Sequence, residues 1–492
     1  MELQSSILME FSQMLKKYLL AIISGLLMSQ SFSVSNWVFA FASMILLIYL
    51  LNKANRKQRF ELVAIFSMAY FLAHLVWVQV IGIDAWILLS LVSAFPWLLA
   101  AVNPVNYRSY FSVTLFASTV VVIEVLRSHI PYGGFPWGLI AFSQIDGPLI
   151  NFARIGGQAF VTFLVVFLSA VFLRMFSKHF VYSILIISIT FVIGMQQANY
   201  QSKSTFKAVA IQGNVPRLGL DQSAQRLQVF NNHVNVTADY LAEDFSADAD
   251  LIIWPESATD IDPFQSREVA DKIDELAKLA KTPILVGATI LGTNPDGPRG
   301  SGILWNEDGS KVLYIKNHLV PFGEYIPHRD LLSTFVDRIS LVPHDYIPGT
   351  EIGIFEIGDV NFGDVICYEV AFGETVRHLV RDGAQFLVIQ TNNATYGNTP
   401  QPEQQFQISR FRAIEHGRSV IIASTSGISG AIGPNGEVIA KTEQFVPAVV
   451  AEDLPLVESK TINDRFPRWT AILSFIFLGF YQVNSSIRKK IA

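Results

Sequence analysis

Phe362-Gly-Asp-Val-Ile-Cys367-Tyr-Glu369 carries the only cysteine of a 492-residue chain at the end of a strand-length run. Short β-branched stretches bounded by loops read as buried strands, and strand ends opening into loops are where α/β sheets place their sites. Outward from this stretch, Lys207-Ala-Val-Ala-Ile-Gln212, Leu251-Ile-Ile-Trp254, Ile284-Leu-Val-Gly287, Val312-Leu-Tyr-Ile315, Phe386-Leu-Val-Ile389 and Val420-Ile-Ile-Ala423 read as further strands. Amphipathic stretches near 222–243, 266–281, 373–383 and 402–418 alternate with several of them as helices. Asp308-Gly309 and Asn435-Gly436 are hairpin signals, so part of the sheet is antiparallel. Residues 204–455 are thus expected to form one layered α/β domain, about 250 residues being enough for a full core.

Upstream the material changes. The chain is 51% apolar and 16% charged, with a mean hydropathy of +0.37, which excludes a disordered protein, a disulfide scaffold and an ordinary soluble enzyme. Residues 1–200 carry 11 Lys and Arg against 6 Asp and Glu, residues 201–492 the remaining 25 against 35. A helix needs about 20 apolar residues to cross a ~30 Å hydrocarbon core. Seven such spans are expected near 18–34, 36–52, 61–81, 84–103, 109–128, 155–174 and 179–197, giving a polytopic α-helical membrane bundle over residues 1–200. An eighth, Trp469 to Val483, is short and follows Arg465 and Arg468; it makes residues 456–492 a C-terminal transmembrane helix and tail.

Positive residues stay on the cytoplasmic side of a membrane. With the N-terminus inside, Lys16, Lys17, Lys53, Arg56, Lys57, Arg59, Arg108, Arg174 and Lys178 all face inward, and everything after residue 200 lies outside. The tail with Arg488, Lys489 and Lys490 then returns to the cytoplasm. No small-residue cleavage pattern follows the first apolar run, so a retained span is expected there. One outer loop, His129-Ile-Pro-Tyr-Gly-Gly-Phe-Pro-Trp137, is rich in turn formers and aromatics, with Glu124 and Arg127 a helical turn apart before it; composition alone reads it as an interfacial anchor with a helix-capping ion pair.

The chemistry starts from Cys367. A lone cysteine forms no internal disulfide, and outside the cytoplasm a free thiol risks oxidation, so it is either buried or used. Composition weighs these equally, and the strand-end position favours use. A thiol with an ordinary pKa of ~8.5 needs a base to become a good nucleophile. Glu256 follows a strand in Trp254-Pro-Glu256, and Lys316 closes another and leads into Asn317-His-Leu-Val-Pro-Phe-Gly-Glu324. Either residue alone is usually a solvated strand end; nucleophile, base and cation types at three strand ends together are more suggestive. The nine His show no metal-site spacing, and neither a G-x-S-x-G elbow nor a phosphate loop occurs, so no metal or cofactor is expected. The acidic balance of the second half argues against nucleic acid.

Trp254-Pro-Glu256, Lys316-Asn-His-Leu-Val-Pro-Phe-Gly-Glu324 and Val365-Ile-Cys367-Tyr-Glu369 resemble, in order and spacing, the Glu-Lys-Cys triad motifs of the nitrilase (carbon–nitrogen hydrolase) superfamily. Flanked by membrane spans, and with Glu124, Arg127, Gly134-Phe-Pro-Trp137 and Gln144 upstream, the whole chain resembles the membrane-bound apolipoprotein N-acyltransferase family within it. The resemblance implies an αββα sandwich held outside a bacterial cytoplasmic (inner) membrane. It implies transfer of an acyl chain from the sn-1 position of a phospholipid, through a thioester on Cys367, to the amino group of a diacylglyceryl-cysteine on an apolipoprotein. Glu256 would be the general base and Lys316 the stabiliser of the acyl oxyanion. Glu324 and Glu369 would hold Lys316 and its loop, with Tyr368 beside the acyl site. Phe322, Leu341-Val342 and Tyr346-Ile347 are candidates to line a path for acyl chains, or ordinary loop packing. Asn393 replaces a frequent Asp and Leu220 a frequent aromatic of that family, which bears on lipid preference more than on the reaction. A monomer is expected. Two other readings stay open: a membrane-tethered amidase or nitrilase using the same triad on small amides, and a non-catalytic transporter or receptor.

Overall fold

The computed structural model describes all residues except Met1, 177–179, 203, 216–226, 244–248, 260, 292–296, 333–341, 343 and 492; Lys178, Leu220 and Leu341 therefore lie outside the described residues. The described chain divides into two units, residues 1–198 with 465–492, and residues 199–464.

The first unit is helical. Its helices are Glu2–Gln30, Val38–Leu51, Arg56–His74, Ile83–Ala94, Tyr110–Arg127, Ala153–Leu173, Phe180–Gly194 and Trp469–Ile491. Among the described residues, five stretches are long and apolar enough to cross a membrane, namely Phe11–Gln30, Ile83–Ala101, Tyr110–Arg127, Ile150–Leu173 and Trp469–Ile487, while Val38–Leu51 and Phe180–Gly194 are apolar but shorter. The span expected at 61–81 takes a different form. Its helix starts at Arg56, where Asn55 accepts from Gln58 N (2.9 Å) and Gln58 Oε1 from Asn55 N (3.3 Å), so a capping box fixes the start among Arg56, Lys57, Arg59 and Glu61. It ends at His74, and a tighter 3₁₀ turn, Val76–Val80, follows.

Some polar groups in this apolar unit pair between helices. Ser24 and Ser43 each donate to the other's carbonyl (2.8 and 2.7 Å). The C-terminal helix is integral to the unit: Trp469 Nε1 donates to Ile155 O (2.9 Å), and Phe477 packs on Phe111 with ring centroids 5.3 Å apart. Its outward face, Leu473, Ile476, Phe480 and Val483, is exposed and apolar, as suits a surface solvated by lipid. The aromatic loop after Arg127 leaves Ile130 and Tyr132 exposed but is buried at its far end. Trp137 is buried, Arg127 Nη2 donates to its carbonyl (2.9 Å) with the guanidinium 4.3 Å over the Phe71 ring, and Glu124 accepts from Ile140 N and Thr162 Oγ1 (both 2.6 Å). Gln144 Nε2 donates to Trp37 O (3.2 Å), so these side chains pin the loop to the helices.

The second unit is an αββα sandwich. Its strands are β1 (Thr205–Gln212), β2 (Leu251–Ile253), β3 (Ile284–Leu291), β4 (Pro298–Trp305), β5 (Lys311–Ile315), β6 (Ile354–Ile357), β7 (Val360–Ile366), β8 (Phe386–Thr391), β9 (Ser419–Ser424), β10 (Gly430–Ile432), β11 (Val438–Lys441) and β12 (Ala448–Pro455). They form two six-stranded sheets, in the orders β12-β1-β2-β3-β4-β5 and β11-β10-β9-β8-β7-β6. Each has a parallel core, β1-β2-β3 or β7-β8-β9, with antiparallel strands at the flanks. The Asp308-Gly309 turn joins β4 to β5, and Asn435-Gly436 joins β10 to β11, both antiparallel.

Strand alternation decides which side chains face which layer. Ala208, Ala210, Leu251, Ile253, Phe362, Ile366, Phe386 and Val388 fill the space between the sheets. Val209, Ile211, Ile252 and Trp254 point outward to the helices Gln228–Ala242 and Arg267–Ala280, which contribute Phe230, Val234, Ile273 and Leu276. The helices Gly373–Arg381 and Gln401–His416 belong to the second half of the unit. Residues 456–464 also pack here: Leu456 N donates to Ser204 O (3.1 Å), Val457 N to Gln385 O (3.3 Å), and Asp464 meets His416.

Candidate active site

Three strand ends meet. Glu256 follows β2, Lys316 follows β5 and Cys367 follows β7; β5, antiparallel to β4 as β4 is to β3, runs the same way as β2, and the three ends come to one edge of the sandwich. Lys316 Nζ lies 2.8 Å from Glu256 Oε1 and 2.6 Å from Glu324 Oε1, its side chain almost fully buried. Burial opposes its charge, but the two carboxylates and the neighbouring thiol outweigh that and hold the ammonium well above its ordinary value. Glu324 is pushed up, by burial first and by Glu256, against the pull of Lys316. Its second oxygen accepts from Val320 N (2.7 Å), folding the Val320–Glu324 turn around the lysine.

Cys367 sits at a left-handed φ of 53° where the β7 strand turns into a short 3₁₀ segment, Cys367–Ala371. A non-glycine residue held there costs about 1–2 kcal/mol, and the surroundings must over-determine it. Glu369 supplies much of that. Its carboxylate reaches back to Ile366 N (2.9 Å), and accepts from Asn317 N (2.8 Å), His318 N (3.0 Å) and the Tyr314 hydroxyl (2.9 Å), tying the cysteine turn to the lysine loop. Burial first, then the Glu256 charge, pushes the Cys367 thiol up to about 12, while Lys316 and the Thr391 hydroxyl, which donates to Sγ at 3.3 Å, oppose.

The end of β8 supplies groups that sequence reading missed. Asn392 N donates to Glu256 Oε2 (3.0 Å), Gln390 Nε2 to Trp254 O (2.5 Å), and Thr425 Oγ1, after β9, to Glu256 O (3.1 Å). Tyr396 and Tyr346 are held above the ordinary tyrosine range by burial first, the nearby carboxylates adding to it. The sequence signal was there in Gln390-Thr-Asn-Asn, a polar cluster closing an apolar strand, but nothing in it says what the cluster touches. Asn393, singled out as a departure, is buried and donates to Gln401 (2.9 Å) and Gln405 (2.8 Å), shaping the loop.

Of the other residues singled out, Tyr368 is buried against Phe372 (ring centroids 5.1 Å) in the cysteine turn. Tyr346 N donates to Glu324 O (2.7 Å), and Phe322, Val342, Tyr346 and Ile347 are apolar side chains at least partly exposed along that loop. Among the described residues no group of three His, Cys, Asp or Glu could hold a metal ion. The arrangement offers a buried thiol, a carboxylate and an ammonium beside it, and apolar surface next to them.

The chain matches the family model of the apolipoprotein N-acyltransferase N-terminal domain over residues 24–171 and that of carbon–nitrogen hydrolase over residues 217–463. It is similar to the apolipoprotein N-acyltransferase of Mycolicibacterium smegmatis, 32% identical over 93% of this chain and 82% of that one. The Haemophilus influenzae apolipoprotein N-acyltransferase is 28% identical over 96% of each chain. Among solved structures, an amidase of the nitrilase superfamily from Nesterenkonia is 18% identical, with a TM-score of 0.40 over 52% of this chain and 94% of that one. With an apolar helical unit, an αββα unit and relatives of this identity along nearly its whole length, the chain belongs to the apolipoprotein N-acyltransferase family of the carbon–nitrogen hydrolases.

Proposed function

We propose that Glu256, Lys316 and Cys367 carry a two-step acyl transfer from a phospholipid to the N-terminal amine of a diacylglyceryl-cysteine on an apolipoprotein. The observation that supports it most is the convergence of these three side chains, with Lys316 Nζ between two carboxylates and Sγ held by Thr391. A thiol pushed up to about 12 is protonated at neutral pH, so the reaction needs a base beside it. Glu256 takes the Sγ proton as sulfur attacks the sn-1 ester carbonyl. The oxyanion is stabilised by Lys316 and a backbone N–H beside the nucleophile. The intermediate collapses, the C–O bond breaks, and Glu256 returns the proton to the departing lysophospholipid. In the second step the acceptor amine attacks the thioester and gives up a proton through Glu256. An amide forms and the thiol is restored.

Both substrates are lipids, and exposing an acyl chain to water costs about 0.8 kcal/mol per CH₂, which favours an enzyme carried by apolar helices. The excess of Lys and Arg in alternate connections supports a bacterial inner-membrane protein with residues 199–464 outside the cytoplasm. Incubating the purified protein with phospholipid labelled in its sn-1 chain tests the proposal. A hydroxylamine-labile label on the wild type, absent from Cys367→Ala and passed to a diacylated lipopeptide, is expected. Turnover of small amides with no acylation by lipid would instead favour the amidase reading.

A further inference from the structure

Beneath the site, between the sheets, three polar atoms have no well-aligned partner among the described residues. Asp364 lies on β7 with the same inward parity as Phe362 and Ile366; it is fully buried, and among the described residues neither carboxyl oxygen has a well-aligned hydrogen-bond partner. Gln390, inward on β8, is fully buried as well, and its Oε1 is also without one. The two meet at Gly302 of β4 in the opposite sheet. A Cβ there would stand 2.1 Å from Asp364 Oδ2 and 2.9 Å from Gln390 Oε1, so only glycine leaves room for both.

The orientation of the Gln390 amide is fixed by its other end. Nε2 faces two carbonyl oxygens, Trp254 O at 2.5 Å and Leu285 O at 3.5 Å, and a flipped amide would set oxygen against oxygen. Oε1 therefore faces Gly302, where Asp364 Oδ2 also approaches. Two acceptors brought to one fully buried place are satisfied when one of them carries a proton. Other groups facing Asp364 disfavour its charge: Glu369 from the cysteine turn and Glu256 from the β2 turn are both carboxyls, and Tyr314 on β5 already gives its hydroxyl to Glu369. Burial pushes Asp364 well above the ordinary carboxylate range in the same direction, with the Val365 N–H opposing.

We propose that Asp364 is a neutral carboxylic acid that donates its proton to Gln390 Oε1, and that the pair are positioning residues for Glu256. Asp364 orients Gln390, Gln390 holds the Trp254 carbonyl, and Trp254-Pro255 sets where the base stands relative to Cys367. This rests on the acyl-transfer reading above. The carboxyl does its work as a donor, so an amide is expected to replace it.

The test uses the full-length protein in detergent, with two readouts: acylation of Cys367 from labelled phospholipid, and alkylation of the same single thiol by iodoacetamide across pH. Asp364→Asn keeps a donor and is expected to acylate within about threefold of wild type, with an unchanged alkylation profile. Asp364→Ala and Gln390→Leu are each expected to slow acylation about tenfold. Their double variant is expected to be no slower than Gln390→Leu, as coupled residues are non-additive. Asp364→Asn as slow as Asp364→Ala, or with a displaced alkylation profile, overturns the proposal, since Asp364 would then act as a charge. Multiplying losses in the double variant, or full activity in Gln390→Leu, overturn it too. If Asp364→Ala does not accumulate, Asp364→Asn and Gln390→Leu decide the matter alone. A wild type that alkylates but never acylates would refute the acyl-transfer reading itself; a wild type that acylates alongside unaffected variants would refute only this one.

Discussion

At the scale of single residues, the single cysteine makes the site unusually easy to read, because every thiol signal comes from Cys367. Its titration depends on opposed charges. Lys316 pulls the thiol down and Glu256 pushes it up, so alkylation of the wild type is expected to accelerate as pH rises toward about 12. Lys316→Gln removes the favourable charge, raises the thiol further and slows alkylation at any lower pH. Glu256→Gln lowers the thiol and speeds alkylation, yet removes the base, so acyl transfer is expected to fall by about 10²–10⁴. Opposite signs for the two measurements in one variant would separate a base from a mere neighbour; a parallel loss of both would count against Glu256 in that role. Glu369 is the structural counterpart. Glu369→Ala strands the Tyr314 hydroxyl and the amides of Asn317, His318 and Ile366, an expected loss of about 4 kcal/mol at roughly 1 kcal/mol per bond, measurable by thermal or denaturant unfolding.

Between elements, close approach sets what the site tolerates. A Cβ at Gly287 on β3 would lie 2.0 Å from Pro255 O and 2.7 Å from the Glu256 Cα, so Gly287→Ala must shift the turn that carries Glu256. Because misplacing a catalytic group by about 1 Å can cost 10²-fold, acylation by Gly287→Ala is expected to fall at least tenfold while the protein still folds; unchanged acylation would mean the turn has slack. Away from the site, His416 at the end of its helix ties down the segment that leaves the second unit. Its Nδ1 lies 2.6 Å from Asp464 Oδ1 and its Nε2 3.4 Å from Glu415 Oε2. Burial would lower His416, but the two carboxylates carry it up to about 9. A raised pKa means the protonated form stabilises the fold. That stability is complete below pH 6.5, where the unfolded histidine is also charged, and is lost by the time pH passes about 9. At about 1.4 kcal/mol per unit the loss is at most about 3 kcal/mol. The melting temperature of the wild type is expected to drop across this window, and that of His416→Gln to lack the drop.

At the scale of the whole molecule, the arrangement of positive charge is the quantity to test. In a Cys367→Ala background, Asp308→Cys on the β4–β5 turn is expected to react with a membrane-impermeant maleimide in spheroplasts. Lys57→Cys, at the exposed start of its helix, is expected to react only after lysis. The reverse pattern would place the second unit in the cytoplasm. Much of this organisation was open to reading in advance. The change in charge density near residue 200 and the runs such as Phe386-Leu-Val-Ile389 follow from local composition, because a membrane span and a buried strand each demand an unbroken apolar stretch. β4, β6 and β10–β12 escaped that reading, being short or, as in Pro298-Arg-Gly-Ser-Gly, built of residues with weak strand preference. The span expected at 61–81 shifted because capping at Asn55, not hydropathy, chose where its helix begins.

The sequence by itself determined two materials, the strand ends and the kinds of residue at them: a thiol, a carboxylate and an ammonium. Those follow from chain-local properties, namely hydrophobicity, periodicity and turn chemistry. Only the tertiary structure decided that Glu256, Lys316 and Cys367 share one edge of the sandwich, because they lie far apart along the chain and their distances are set by sheet order. It fixed the contacts of Glu324 with Lys316 and of Glu369 with two loops, which the resemblance only implied, and it alone decided that Asp364 and Gln390 meet at Gly302. A hydrogen bond, a desolvated charge and a missing proton are properties of neighbours in space, and no spacing along the chain encodes which neighbours a buried side chain will have.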